Sequence, residues 1–218
     1  MILHDVEQRS DAWYALRAGI PTASEFSKII TSAGIPSKSA VDYAYTLAGE
    51  MYAGKVLDPW QGNQWTERGR EMEDEAISLY EFANDVKVQR VGFVTDDGFS
   101  MGCSPDGIVG DGGVEIKCLK AVNHIKAILR YQKFGKAPPD YVQQTQGQIW
   151  ICGWAWCDLI FYHPELPLLV IRQEPDPEII AALSVWVEKL CLARNDIHAS
   201  IVALADADYD QEPKEQVA

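Results

Sequence analysis

The 218-residue sequence has no run approaching the roughly 18 continuous apolar residues of a membrane helix. Its longest apolar stretches, such as LPLLVI at 166–171, are strand-sized. It also lacks a positive excess: 19 Lys and Arg stand against 32 Asp and Glu, a formal net charge of −13. That balance excludes a basic DNA-coating protein and a polybasic membrane binder, whose affinity is summed positive charge. Cysteine is sparse and odd in number; Cys103, Cys118, Cys152, Cys157 and Cys191 favour reduced thiols in a cytosol over a disulfide framework. Cys152 and Cys157 are spaced C-x4-C, with no second pair or ordered His cluster to complete a zinc or iron–sulfur site. The opening MILHDVEQRS places His4, Asp5 and Glu7 where a secretory signal needs an apolar core, so a cytoplasmic protein is expected.

What is present is the composition of a folded domain: 47% hydrophobic and 23% charged residues suffice for a buried core. Ser10 as N-cap predicts a first helix over DAWYALRAG, and Thr22 or Ser24 starts a second with Phe26, Ile29 and Ile30 as its apolar stripe. Two helix starts beside Arg17 leave N–H groups and hydroxyls where an anion would bind. A third helix is expected over 40–54. A fourth, strongly charged, runs from about Thr66 to Asn84 with Met72, Ala76, Leu79, Tyr80 and Ala83 inward. After Asp85 the alternation of VKVQRVGFVTDD and the Gly-broken FSMGCSPDGIVGDGGVEIKC predict a β-meander. Helices then follow over 119–134 and from PPDYVQQTQGQIWICG, two β-rich runs over WAWCDLIFYH and LPLLVIRQE, and a long closing helix. This order predicts one mixed α/β domain over residues 1–205, a central mixed sheet flanked by helices, and a flexible acidic tail over 206–218.

The chemistry concentrates in Ser104-Pro105-Asp106-Gly107 and Val114-Glu115-Ile116-Lys117. On a strand, Glu115 and Lys117 project from one face and Ile116 from the other, into the core. A Gly-rich turn after Asp106 folds it back beside Glu115. Two carboxylates and an ammonium in one cleft suit Mg2+, a hard ion that keeps waters for phosphate oxygens. The neighbouring lysine can orient or deprotonate an attacking water and stabilise charge on a phosphate.

In DAWYALRAGIPTASEF, RGREMEDEAISLYEF, GCSPDGIVGDGGVEIKC and YVQQTQGQIWICGW, taken in order, the sequence resembles the PD-(D/E)xK nucleases, and within them the phage lambda exonuclease type, the YqaJ-like viral recombinases. The resemblance implies metal binding by Asp106, Glu115 and the backbone carbonyl of Ile116, with Lys117 as catalytic lysine. It implies that Glu73 organises the water and that Gln144 completes the core, Gln146 being the weaker choice. Arg17, Ser24 and Ser104, assisted by Thr22, match a pocket for a terminal 5′ phosphate. The implied activity is Mg2+-dependent, with Mn2+ substituting and two ions per active site. It digests one strand of linear duplex DNA from the 5′ end and leaves a 3′ overhang. Implied partners are two further copies in a ring-shaped homotrimer and a single-strand annealing protein. Members of the family open the duplex end with an apolar wedge from the loop before the acidic helix. That region here reads DPWQGNQWTERG, in which Trp60 or Trp65 would stack on bases.

Other readings are a RecB-like or restriction-type nuclease and a non-catalytic DNA-end scaffold. The iron–sulfur arrangement of some RecB-like enzymes is not supplied by Cys152, Cys157 and Cys191, and intact Asp106, Glu115 and Lys117 argue against a scaffold. The charge is uneven: Lys117, Lys120, Lys126, Arg130, Lys133 and Lys136 place +6 in a stretch without an acidic residue, leaving −19 to the rest of the chain. Lys120, Lys126 and Arg130 are therefore candidates for tracking the DNA backbone.

Overall fold

The structure, a computed structural model, describes residues 1–58 and 64–211, the side chains of 64–71 and 208–211 excepted. Trp60 and the side chain of Trp65, the two candidates for a wedge, lie outside the described residues.

Ser10 caps the first helix as expected, its hydroxyl accepting from the Trp13 amide at 3.2 Å, and α1 spans Asp11–Arg17. The next segment, Ala23–Lys28, is a 3-10 helix rather than an α-helix. Its apolar stripe holds, with Phe26, Ile29 and Ile30 all fully buried. Helices α2 (Ala40–Ala53) and α3 (Gln64–Asn84) follow. On α3 the inward stripe is Ala76, Ile77 and Tyr80, while Leu79 is 42% exposed and Ala83 lies outward. At 100° per residue, positions 73, 76, 77 and 80 share one face and 79 rotates off it, while Ala83 falls in the last turn of α3, which ends at Asn84.

The expected β-meander is not one sheet. Strands β1 (Ile2–His4), β2 (Phe93–Thr95) and β3 (Gly102–Cys103) form an antiparallel sheet in the order β1-β2-β3. Strands β4 (Gly107–Val109), β5 (Gly112–Cys118), β6 (Trp156–Tyr162) and β7 (Leu169–Gln173) form the second, mixed sheet, in which β5 and β6 run parallel. The break falls at Ser104-Pro105-Asp106, where the ring of Pro105 supplies no N–H to a ladder. β1 was absent from the expectation, and within VKVQRVGFVTDD the only strand is β2, with a single further bridge between Gln89 and Ile108. Between β5 and β6 the chain crosses over through α4 (Ala121–Phe134) and α5 (Val142–Cys152), as a parallel pair requires.

Alternation along β5 and β6 sorts the two faces of the mixed sheet. Val114, Ile116, Ile160 and Tyr162 pack with Ala76, Ile77 and Tyr80 of α3. Leu159 and Phe161 pack with Ala127 of α4. The largest core joins the 3-10 segment, α2, α5 and the closing helix α6 (Pro177–Gln211). That helix continues to Gln211, so the acidic residues Asp206, Asp208 and Asp210 belong to it; the rest of the expected acidic tail, 212–218, lies outside the described residues. Alanines at 203, 205 and 207 sustain it. Among the described residues no helix is long and apolar enough to cross a membrane.

Helix α5 approaches the 3-10 segment through Gly147, where an added Cβ would stand 2.5 Å from the Phe26 ring and 3.2 Å from Ala23 Cβ. Phe26 is fully buried and cannot yield. Gly147→Ala is expected to destabilise by about 1–3 kcal/mol from overpacking, outweighing the roughly 1 kcal/mol that alanine gains in helix propensity. Thermal unfolding checks it, at about 2–4 °C per kcal/mol in a chain of this size; a raised Tm would contradict the contact.

Candidate active site

β4 pairs with β5 only as far as Val114, so the edge of β5 beyond it is open on that side. Asp106 fills the opening. Its backbone N–H donates to the Val114 carbonyl at 3.2 Å, and its Oδ2 accepts the Ile116 N–H at 2.6 Å. A strand residue directs its N–H and C=O to the same side, so the Ile116 carbonyl faces this edge with the Asp106 carboxylate.

Glu115 and Lys117 share the opposite face of β5 from Ile116, toward α5. Lys117 Nζ donates to Glu115 Oε1 at 2.7 Å and to Gln144 Oε1 at 3.0 Å. Gln144 Nε2 donates in turn to Glu115 Oε1 at 2.7 Å. The other oxygen, Oε2, accepts from Gln148 Nε2 at 2.6 Å, and the Gln148 carbonyl accepts from Cys157 Sγ at 3.6 Å. A carboxylate only 4% exposed is thus held by one cation and two amides, as burial of charge demands. Gln148 was missed in the sequence. Its signal was the i, i+4 spacing from Gln144, which puts both amides on one face of α5. Gln146 turns away, accepting from the Asp176 amide and donating to the Glu174 carbonyl.

Glu73 and Asp106 line a cleft of about 500 Å³ with Gln8, Arg9, Arg90 and Gly92. Burial pushes the Asp106 carboxyl well above its ordinary range, and the nearby Glu115 and Glu73 push the same way against the Ile116 N–H and Lys117. Burial likewise raises Glu73, opposed by the fields of Arg9 and Arg90. For Lys117, burial pulls the ammonium down, but Glu115 and Asp106 outweigh it and the net direction is upward. Three carboxyl groups thus crowd around Lys117, and Arg9 and Arg90 offset part of their charge.

Among the described residues, no three His, Cys, Asp or Glu side chains form a metal-holding group. The available set is two carboxylates and a backbone carbonyl, all hard oxygens. It fits an ion such as Mg2+, which takes one or two carboxylates and keeps its waters.

The predicted anion pocket is assembled beside the cleft. Arg17 lies over the Trp13 ring, 4.1 Å from its centroid, and its Nη2 donates to Thr22 Oγ1 at 3.2 Å. Thr22 and Ser24 hydroxyls are 3.4 Å apart, and Trp13 Nε1 donates to Ser104 Oγ at 2.7 Å. Thr22 occupies the N-cap position of the 3-10 helix without a side-chain capping bond, so its hydroxyl serves Arg17. Burial lowers Arg17, partly offset by Tyr43, Glu25 and Glu50. Among the described residues Arg17 makes no ion pair. Ser104 stands two residues before Asp106, which puts the pocket and the carboxylates on one short segment. Lys120, Lys126 and Arg130 are exposed, Lys120 at the N-cap of α4 and the other two one turn apart on it.

The Asp106 carboxylate on the open strand edge, with Glu115 and Lys117 on the adjoining face and an arginine–hydroxyl pocket alongside, can take a hard metal ion and a phosphate. With the family match and exonuclease neighbours, the chain is a lambda-exonuclease-like nuclease, a mixed α/β protein. Residues 12–155 match the YqaJ-like viral recombinase domain, and the chain belongs to that family. The alkaline exonuclease LHK-Exo from Laribacter hongkongensis is similar at 30% identity and a TM-score of 0.76, over 92% of this chain and 99% of that one. Its complex with dAMP matches equally, at 30% identity and a TM-score of 0.76 over the same 92% and 99%. A phage-related exonuclease from Haemophilus somnus 129PT shares the fold at 16% identity and a TM-score of 0.65, over 84% of this chain and 96% of that one. No curated protein is matched.

Proposed function

We propose that the chain is a PD-(D/E)xK exonuclease that degrades one strand of linear duplex DNA in the 5′ to 3′ direction. It would leave 3′ single strands for recombination by annealing. The observation that carries the reading is the adjacency of the Arg17 pocket and the Asp106–Glu115–Lys117 cluster, joined through Ser104-Pro105-Asp106. A terminal 5′ phosphate held by the first places the next phosphate near the second. The dAMP complex of the Laribacter relative agrees with a mononucleotide product.

Asp106, Glu115 and the Ile116 carbonyl would hold Mg2+, or Mn2+ in its place, as a pair of ions. When bound, they supply Lewis-acid polarisation of the phosphate and lower the pKa of water. Lys117 has two of its three N–H bonds committed, to Glu115 and Gln144, leaving the third for charge that develops on the scissile phosphate. Gln144 bridges the two and fixes the ammonium's direction. Gln148 holds the far oxygen of Glu115, and Glu73 faces the same cleft as a proton acceptor. Exposed Lys120, Lys126 and Arg130 would follow the duplex backbone. A cytoplasmic homotrimeric ring and a single-strand annealing partner complete the reading, as the family resemblance implies.

The test is digestion with Mg2+ of linear duplexes labelled at the 5′ or the 3′ end, beside a closed circle. Early release of the 5′ label from a linear substrate, with the circle intact, is expected. Cutting of the circle would indicate an endonuclease, and binding without cleavage a scaffold. Arg17→Ala should lose about 10- to 100-fold in kcat/KM on 5′-phosphorylated ends, the worth of hydrogen bonds to a charged group. Activity on 5′-hydroxyl ends should barely change. An unaltered ratio between the two ends would reject the pocket.

A further inference from the structure

The segment between β1 and α1 brings to the site a cation that the motifs did not single out. Gln8 Nε2 donates to the Val91 carbonyl at 2.9 Å and to the Pro105 carbonyl at 3.2 Å. This ties the segment to the residue before Asp106. Two residues on, Ser10 is fixed by its amide and hydroxyl, both donating to the Glu7 carbonyl at 3.1 and 2.6 Å. Between these anchors Arg9 has φ +72°, a left-handed conformation that glycine adopts freely and other L residues rarely do. A turn of this shape needs no side chain, so the presence of arginine points to work for the guanidinium.

Its position indicates that work. Arg9 lines the cleft shared by Glu73 and Asp106, and it also lines the adjoining cavity of about 280 Å³ that holds Arg17 and Thr22. Among the described residues it makes no hydrogen bond and no ion pair, while its charge acts on Glu73. Arg90, the neighbouring cation of the cleft, is by contrast committed to Asp74 and the Asp106 carbonyl.

We infer that Arg9 is a substrate-binding residue whose guanidinium contacts the backbone of the terminal nucleotide, between the 5′-phosphate pocket and the scissile phosphate. The inference rests on the exonuclease reading above. The guanidinium's five donors on a planar fork can serve phosphate oxygens on either side, and the anchored turn fixes the backbone from which the side chain reaches both cavities.

The experiment compares the full chain with Arg9→Gly and Arg9→Lys on 5′-phosphorylated linear duplex in Mg2+ at several salt concentrations. Arg9→Gly should fold at least as well as the parent, because glycine relaxes the left-handed turn. Its KM should rise about tenfold, and its log–log dependence of kcat/KM on salt should lose about one unit of slope. Arg9→Lys should restore the slope and part of the KM, while the Mg2+ concentration for half-maximal rate should stay constant in both. An active Arg9→Gly with unchanged KM and slope would overturn the inference and leave the exonuclease reading intact. A shifted Mg2+ requirement with KM unmoved would also overturn it, assigning Arg9 to the tuning of Glu73. A parent chain inert on linear duplex would sink the exonuclease reading itself.

Discussion

Lys117→Ala is expected to lower cleavage of linear duplex by about a hundred- to a thousandfold while leaving the protein folded. Among the described residues the ammonium is the only cation bonded to Glu115, and in the proposed reading its one uncommitted N–H is the donor for charge that forms on the phosphate. Removing a positioned donor of this kind costs about 10²- to 10³-fold, and Lys117, held charged by Glu115 and Asp106, acts through that charge and not as a base. The fold survives because Glu115 keeps Gln144 on Oε1 and Gln148 on Oε2. The remaining cost is a hydrogen bond to a charged group, about 1.5–3 kcal/mol, visible as a lower Tm. Lys117→Met, which keeps the stem but no charge, separates packing from chemistry and should be as inactive as Lys117→Ala. Near-parental cleavage by either folded variant would remove Lys117 from the mechanism.

How the fold was read from residues differed by range. Where a local rule decides, the expectation held: Ser10 as cap, the stripe of Phe26, Ile29 and Ile30, and Ile116 inward with Glu115 and Lys117 opposite. Sheet membership is set by partners far along the chain. Gly112–Cys118 pairs in parallel with Trp156–Tyr162, a partner outside FSMGCSPDGIVGDGGVEIKC; Pro105 there marks a break in the ladder but not which sheet each side joins. Ile2–His4 is too short for alternation to register and is a strand only because Phe93–Thr95 lies beside it.

The site divides in the same way. Period-two alternation was enough for Glu115 and Lys117, and the turn after Asp106 for its return to the strand edge. Glu73 among neighbouring acids, and Gln144 among the glutamines of α5, carried no local signal and came from the family resemblance alone. Gln148 was accessible through its one-turn spacing from Gln144. Arg9 was not accessible, because the two clefts it lines are built by segments as distant as Gly92, Asp106 and Tyr43.

Asp106→Asn should abolish activity as thoroughly as loss of the lysine, by a different route and with an opposite signature in stability. The amide oxygen of asparagine can still accept the Ile116 N–H, so the strand edge is preserved. What disappears is a negative charge that burial and the neighbouring Glu115 and Glu73 already disfavour. Because the folded carboxyl titrates above the unfolded value of about 3.9, its neutral form is the one the fold prefers. Its contribution to stability is fully present below that value and is lost as pH rises through the elevated folded one. Glu73 acts in the same direction, while Lys117, raised rather than lowered, stays charged throughout. The metal-free protein should therefore lose Tm as pH is raised above the unfolded carboxyl value of about 3.9. Added Mg2+ should restore it, most strongly at higher pH, where the carboxylates are charged and binding to the folded form is greatest. In Asp106→Asn the decline with pH should be shallower and the rise on adding Mg2+ largely gone. Cleavage should fall about a thousandfold, as expected when several kcal/mol of charge stabilisation are withdrawn. A parental Mg2+-induced rise in the folded variant would show that the ion is held without Asp106 and would move the metal site off the edge of β5.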